Sequence, residues 1–154
     1  MKRRLFLKGT LAGSAIAVAV SAGMLIPRTV LAAWPKSGFE AKSLGDAMNT
    51  MYGAGAPGSS DKLKINAPEI AEVAVEVRIT VDAQFDDLES VSIIVEKNPS
   101  PLTAHFEIPP GTLGEISTRV KMAQTSNVIA VAKAGGKIYS VQKEVKVTVG
   151  GCGG

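Results

Sequence analysis

One cysteine, one histidine and one tryptophan are spread through 154 residues. With a single cysteine, no disulfide can close within the chain, and neither a C-x-x-C redox pair nor a C-x-x-C-H haem attachment is present. The one histidine, His105, has no cysteine near it, so the usual zinc ligand sets are missing. His105 sits between Ala104 and Phe106 on the expected outward face of a strand, where a lone histidine reads as a surface or packing residue. There is no G-x-S-x-G nucleophile turn and no phosphate-cradling loop. Asp86, Asp87 and Glu89 lie close together, but their spacing is not that of an EF-hand loop, and a solvated turn explains them. A long apolar run is lacking too. The stretch from Leu11 to Ile26 is interrupted by Gly13, Ser14, Ser21 and Gly23, whereas a membrane span needs about 20 predominantly apolar residues. The expectation is therefore a chain with no catalytic residue, metal or cofactor of its own, and no stable membrane anchor.

What the N-terminus does contain is an export pattern. Met1-Lys2-Arg3-Arg4-Leu5-Phe6-Leu7-Lys8 is a charged start, a weakly apolar stretch follows, and Val30-Leu31-Ala32-Ala33 supplies small residues for cleavage. Arg3 and Arg4 before Leu5-Phe6-Leu7-Lys8 resemble a twin-arginine signal, with Lys2 where Ser or Thr is more usual. Residues 1–33 are thus expected to be a cleaved signal, and the periplasm the destination. The charge balance depends on this. The whole chain has 17 Lys+Arg and 14 Asp+Glu, net +3. Five of the basic residues (Lys2, Arg3, Arg4, Lys8 and Arg28) and none of the acidic ones lie in residues 1–33, which leaves the rest acidic by two charges. The basic character belongs to the signal, and nucleic-acid binding loses its support.

Residues 34–149 have the length of one domain. Ser37-Gly38-Phe39-Glu40 has the form of a capping box, and Leu44, Ala47, Met48 and Met51 follow at helical spacing, with Gly53 and Gly55 as the stop. One N-terminal helix is predicted. After a Gly/Ala/Pro/Ser loop the apolar period changes to two. A first strand is expected over 62–65. Val73, Val75, Val77, Ile79 and Val81 alternate with polar or small residues, and Val91, Ile93 and Val95 repeat the pattern. Phe106 and Ile108, then Ile116, Thr118, Val120 and Met122, are further inward sets. Residues 127–134 are apolar on both faces, which marks a central strand or the face that meets a partner. Ala134-Gly135-Gly136-Lys137 reads as a hairpin turn into a last strand lined by Tyr139, Val141, Val145, Val147 and Val149. About seven short strands after one helix predict an all-β, immunoglobulin-like antiparallel β-sandwich. Arg119 and Lys121 share one strand face, placed to attract an anion or an acidic partner or simply to face water.

The last strand runs into Gly150-Gly151-Cys152-Gly153-Gly154. Gly150, Gly151, Gly153 and Gly154 frame the sole cysteine in a segment expected to be a flexible arm. No Lys, Arg or His flanks Cys152, so nothing adjacent lowers a thiol pKa of about 8.5. The thiol reads as a handle that other active sites activate. An unpaired cysteine in an exported chain must react with another molecule or stay free.

The ending Val145-Lys146-Val147-Thr148-Val149 with GGCGG resembles the tail of the SoxY family, the sulfur-compound carriers of bacterial thiosulfate oxidation. Glu96-Lys97-Asn98-Pro99-Ser100-Pro101, and Ser117-Thr118-Arg119-Val120-Lys121-Met122-Ala123 with Thr125-Ser126, resemble internal blocks of the same family. The resemblance implies a periplasmic carrier with an immunoglobulin-like fold, paired with a SoxZ-like subunit, whose sulfur attachment point is Cys152. It also implies the enzymes that visit the arm: a SoxAX-like c-type haem enzyme that joins thiosulfate to the thiol, a SoxB-like dimanganese hydrolase that releases sulfate, and in some systems a sulfane dehydrogenase. The alternative from another class is a periplasmic structural or interaction sandwich whose cysteine only makes an intermolecular disulfide.

Overall fold

The structure, a computed structural model, describes residues 35–148. The signal expected over 1–33 and the arm over 150–154, with Arg3, Arg4 and Cys152, lie outside the described residues. Two short helices open the described chain, α1 (Lys36–Glu40) and α2 (Leu44–Tyr52). Eight strands follow: β1 (Leu63–Asn66), β2 (Ile70–Ala71), β3 (Val77–Ala83), β4 (Leu88–Val95), β5 (Leu102–Glu107), β6 (Glu115–Val120), β7 (Ser126–Ala134) and β8 (Lys137–Val147).

The single expected helix is two because the chain uses a different cap. Ser37 lies inside α1, and the working N-cap is Ser43: its Oγ accepts from the Asp46 N–H at 3.1 Å and donates to the Asp46 carboxylate at 2.7 Å. Ser43 is thus the working cap, and it satisfies a backbone donor that the first turn leaves open, while the Asp46 carboxylate accepts from the Ser43 hydroxyl. Gly53, with φ of +77°, ends α2 as expected.

The strands form two sheets, one of three strands in the order β1-β3-β6 and one of five in the order β2-β8-β7-β4-β5. All pairs are antiparallel except β2 with β8, so the sandwich is not antiparallel throughout. Between the sheets lies the main core, with Val77, Ile79 and Val81 of β3 against Val91, Ile93 and Val95 of β4, Val128, Ala130 and Ala132 of β7, and Val145 of β8. Strand β7 is central to its sheet.

The other face of the five-stranded sheet is covered by the helices. Ile94, Leu102, Ile129 and Val131 pack there with Ala41 and Ala47, flanked by Phe39, Leu44, Met48, Met51 and Tyr52. This is why β4 and β7 are apolar on both faces, and why residues 127–134 do not offer a face to a partner. A register shift between Ile93 and Ile94 puts Leu102 opposite Ile94, turning it to the helix side while Ala104 faces the main core.

The alternation read from residue 72 misleads at its start. Val73 and Val75 are 53% and 44% exposed, whereas Ala71 and Ala74 point inward. The chain here leaves β2 in one sheet and enters β3 in the other, so the period-2 pattern spans a crossover. Gly135 and Gly136, with φ of +53° and +71°, make the two-residue turn between β7 and β8 that requires positive φ at both positions. Gly114 has a different duty: a Cβ there would collide with the Ala83 carbonyl.

Candidate functional site

The C-terminal segment leaves the body at one end of the sandwich. Strand order and direction place the end of β8, the start of β7, the end of β6, the start of β3 and the loop between β4 and β5 at that end. The last described residues are held on two sides. Lys146 N–H donates to the Glu69 carbonyl at 2.9 Å and Thr148 N–H to the Ala71 carbonyl at 3.3 Å, while Val147 N–H donates to Thr125 Oγ1 at 2.9 Å. These bonds hold the end of β8 and Thr148, the last described residue.

Around this exit the loops are tied by side chains. Asn98 Nδ2 donates to the Lys121 carbonyl at 2.7 Å, and Asn98 Oδ1 accepts from the Ala123 N–H at 2.9 Å. Lys97 N–H donates to Ser126 Oγ at 3.0 Å, and Asn127 Nδ2 donates to Glu96 at 2.9 Å. Met122, fully buried, donates its N–H to the Ala74 carbonyl and so fixes the crossover between β2 and β3. An amide side chain is the right group at 98, because it bonds a carbonyl and an N–H of one partner loop at once. The two sequence blocks 96–101 and 117–126 are therefore a single hydrogen-bonded collar. The sequence contained both blocks, but nothing local showed that they meet.

Beside the collar the surface is apolar. Of the four large hydrophobic residues exposed among the described residues, Ile70, Val73 and Val75 fall on the crossover that accepts from Thr148, and only Leu113 lies elsewhere. No such patch was expected, because the valines were read as inward.

His105 is not on an open surface. Its side chain is 8% exposed, and it joins a chain of polar groups under α2: Tyr52 Oη to Ser92 Oγ at 2.6 Å, Ser92 Oγ to His105 Nδ1 at 2.8 Å, and His105 Nε2 to Glu107 at 3.0 Å. Burial pushes the Tyr52 hydroxyl above its ordinary pKa of 10.0. This network pins the helix to the sheet, away from the exit, and every buried side-chain polar atom among the described residues has a partner. Glu89, beside the hairpin, is held below the usual carboxylate range by Lys133 at 2.6 Å and by the Gly136 N–H. Asp86, Asp87 and Glu89 do not form a metal cage, and no group of three potential metal ligands occurs among the described residues. No helix among them is long and apolar enough to cross a membrane. Arg119 and Lys121 are both exposed at the exit end of β6, as read from the sequence.

Comparison with known proteins points in one direction. The family described as "Sulfur oxidation protein SoxY" matches residues 48–152, a stretch that contains both collar blocks and ends at the sole cysteine. The structure of the sulfur carrier protein SoxY from Chlorobium limicola f thiosulfatophilum is similar at 38% identity and a TM-score of 0.63, covering 70% of this chain and 97% of that one. Weaker likenesses, to a chain in a structure on T cell specificity and activation by the bacterial superantigen toxic shock syndrome toxin-1 (12% identity, TM-score 0.41, 56% of this chain and 99% of that one) and to a CARDB domain from Pyrococcus furiosus (10%, 0.37, 60% and 95%), carry no argument. No curated protein matches the chain.

Proposed function

The chain belongs to the SoxY family, and from that premise we propose that it is a periplasmic carrier that holds sulfur intermediates covalently on Cys152 and presents them to partner enzymes. The observation that carries this reading is the exit itself. The body holds the chain at Thr148, the last described residue, at this end of the sandwich, and Cys152 follows four residues later. Four extended residues span at most about 14 Å. An enzyme that receives the thiol must therefore come close to this end of the sandwich, where Ile70, Val73 and Val75 offer an apolar contact.

The division of labour follows from the thiol's surroundings in sequence. With no flanking base or cation, Cys152 depends on each enzyme for activation. A SoxAX-like c-type haem enzyme removes two electrons as the bond forms between the Cys152 sulfur and the terminal sulfur of thiosulfate, releasing one proton. A SoxB-like hydrolase then adds water, releases sulfate and leaves a persulfide on Cys152. Where a sulfane dehydrogenase is present, it oxidises that remaining sulfur for another hydrolysis. A carrier is not itself the catalyst of these steps, and covalent tethering keeps each intermediate at high effective concentration. Under this reading the sandwich is immunoglobulin-like, a SoxZ-like subunit is its heterodimer partner, and the twin-arginine signal over residues 1–33 delivers it folded.

The test is Cys152→Ser. It should abolish thiosulfate-dependent oxidation in a reconstituted system and leave the melting temperature unchanged, because the two core clusters are built from residues upstream of Thr148. Full activity in that variant, or a reducible dimer as the only active form, would favour a structural role for the cysteine.

A further inference from the structure

No element among the described residues covers the outer face of the three-stranded sheet, and its charges are sorted. Register places Arg78 of β3 directly opposite Arg119 of β6, then Thr80 opposite Ser117, then Asp82 opposite Glu115. Like charges directly opposite across strands repel. At the acidic end the repulsion is moderated: Asp82 accepts from Gln84 at 3.0 Å and faces Lys64 on β1. At the basic end nothing answers it. The ion pairs among the described residues join Lys36 and Lys133 to carboxylates, His105 bonds Glu107, and neither arginine pairs with a carboxylate. Glu76, two residues before Arg78, makes no ion pair with it. Asp82 is four residues along the strand, about 13 Å away.

The two arginines, with Ser117 and Thr118, line a shallow cleft of about 430 Å³. Thr80 Oγ1 donates to Ser117 Oγ at 3.2 Å, so the Ser117 hydroxyl has its own proton free to donate outward. Two guanidinium forks and a hydroxyl proton make a cleft whose side-chain groups toward solvent are donors, with no carboxylate among its lining residues. We propose that Arg78, Arg119 and Ser117 form a binding site for a divalent tetrahedral oxyanion such as sulfate or thiosulfate. Two planar cations and a neutral donor match such an anion, which cancels the repulsion between them. The site lies at the end of the sandwich from which the segment bearing Cys152 departs, since β3 begins there and β6 ends there. Choosing sulfur oxyanions as the natural occupants rests on the carrier reading; the anion chemistry of the cleft does not.

The experiment is a titration of the full chain with sodium sulfate at constant ionic strength, balanced with sodium chloride and followed by NMR at the arginine Nε–H groups and the Ser117 amide. Saturable shifts at Arg78, Arg119 and Ser117 are expected. Affinity should fall at least about tenfold in Arg78→Gln and in Arg119→Gln, as removal of one charge-assisted donor pair implies. Saturation by phosphate as well as sulfate supports the site, since both are divalent tetrahedral oxyanions. Shifts that rise linearly without saturating, an equal response to chloride, or unchanged saturation in Arg78→Gln/Arg119→Gln would overturn it. Cys152→Ser should bind sulfate as the parent does, so loss of the anion site and loss of the carrier reading are separate results.

Discussion

The two outward faces of the sandwich have been put to opposite uses. The outer face of the five-stranded sheet is covered by α1 and α2, and even its polar groups are buried and paired. Among the described residues, nothing covers the outer face of the three-stranded sheet, and its arginines have no carboxylate partners. One face converts histidine and tyrosine, residue types often met in active sites, into structural fastening. The other leaves cations where a ligand can reach them. Residue type alone therefore says little about chemistry in this chain; what covers the residue decides.

The largest expected effect comes from the covered face. Ile94, fully buried between β4 and the helices, should cost about 2–5 kcal/mol as Ile94→Ala. Urea unfolding measures it, and a cost under about 1 kcal/mol would mean that the helices do not pack as described.

Tyr52→Phe should cost about 1 kcal/mol at neutral pH, through the lost hydrogen bond to Ser92. Its pH dependence is the sharper test. Burial raises the Tyr52 pKa in the folded state above its ordinary value of 10.0, so the folded chain holds that proton more tightly than the unfolded chain. The contribution is complete below about pH 10 and is lost as pH rises through the folded value. Stability should fall on the alkaline side in the parent and fall less in Tyr52→Phe. Identical alkaline slopes would remove Tyr52 from the network.

On the bare face the sign reverses. Arg119→Gln should raise stability by a few tenths of a kcal/mol at low salt, by removing a like-charge cross-strand pair. The gain should shrink as salt is added. A loss of more than about 0.5 kcal/mol would show that Arg119 has a structural partner.

The same contrast explains what the sequence made legible. The alternation of Ile79 and Val81, and of Val91, Ile93 and Val95, marks real strands, because a half-buried strand must repeat every two residues. The Gly135-Gly136 turn is legible for a similar local reason. Val73 and Val75 are not, since alternation carries no sign of where a chain changes sheets. Two serine-led boxes, at Ser37 and Ser43, are nearly equivalent as local patterns, and packing of α2 on the sheet selects the second. The Tyr52–Ser92–His105 network, the Asn98 collar and the Arg78–Arg119 pair each join residues far apart in sequence, so they depend on register and have no local signature. Cys152 is singled out by its neighbours in sequence alone, and it lies outside the described residues.

The central claim is that Cys152 carries cargo. Its most direct measurement is the mass of the C-terminal peptide isolated, without reductant, from cells oxidising thiosulfate. The account predicts sulfur-containing adducts on the peptide that holds Cys152, lost on treatment with a thiol. A peptide found only as the free thiol, in cells that are actively oxidising thiosulfate, would contradict it.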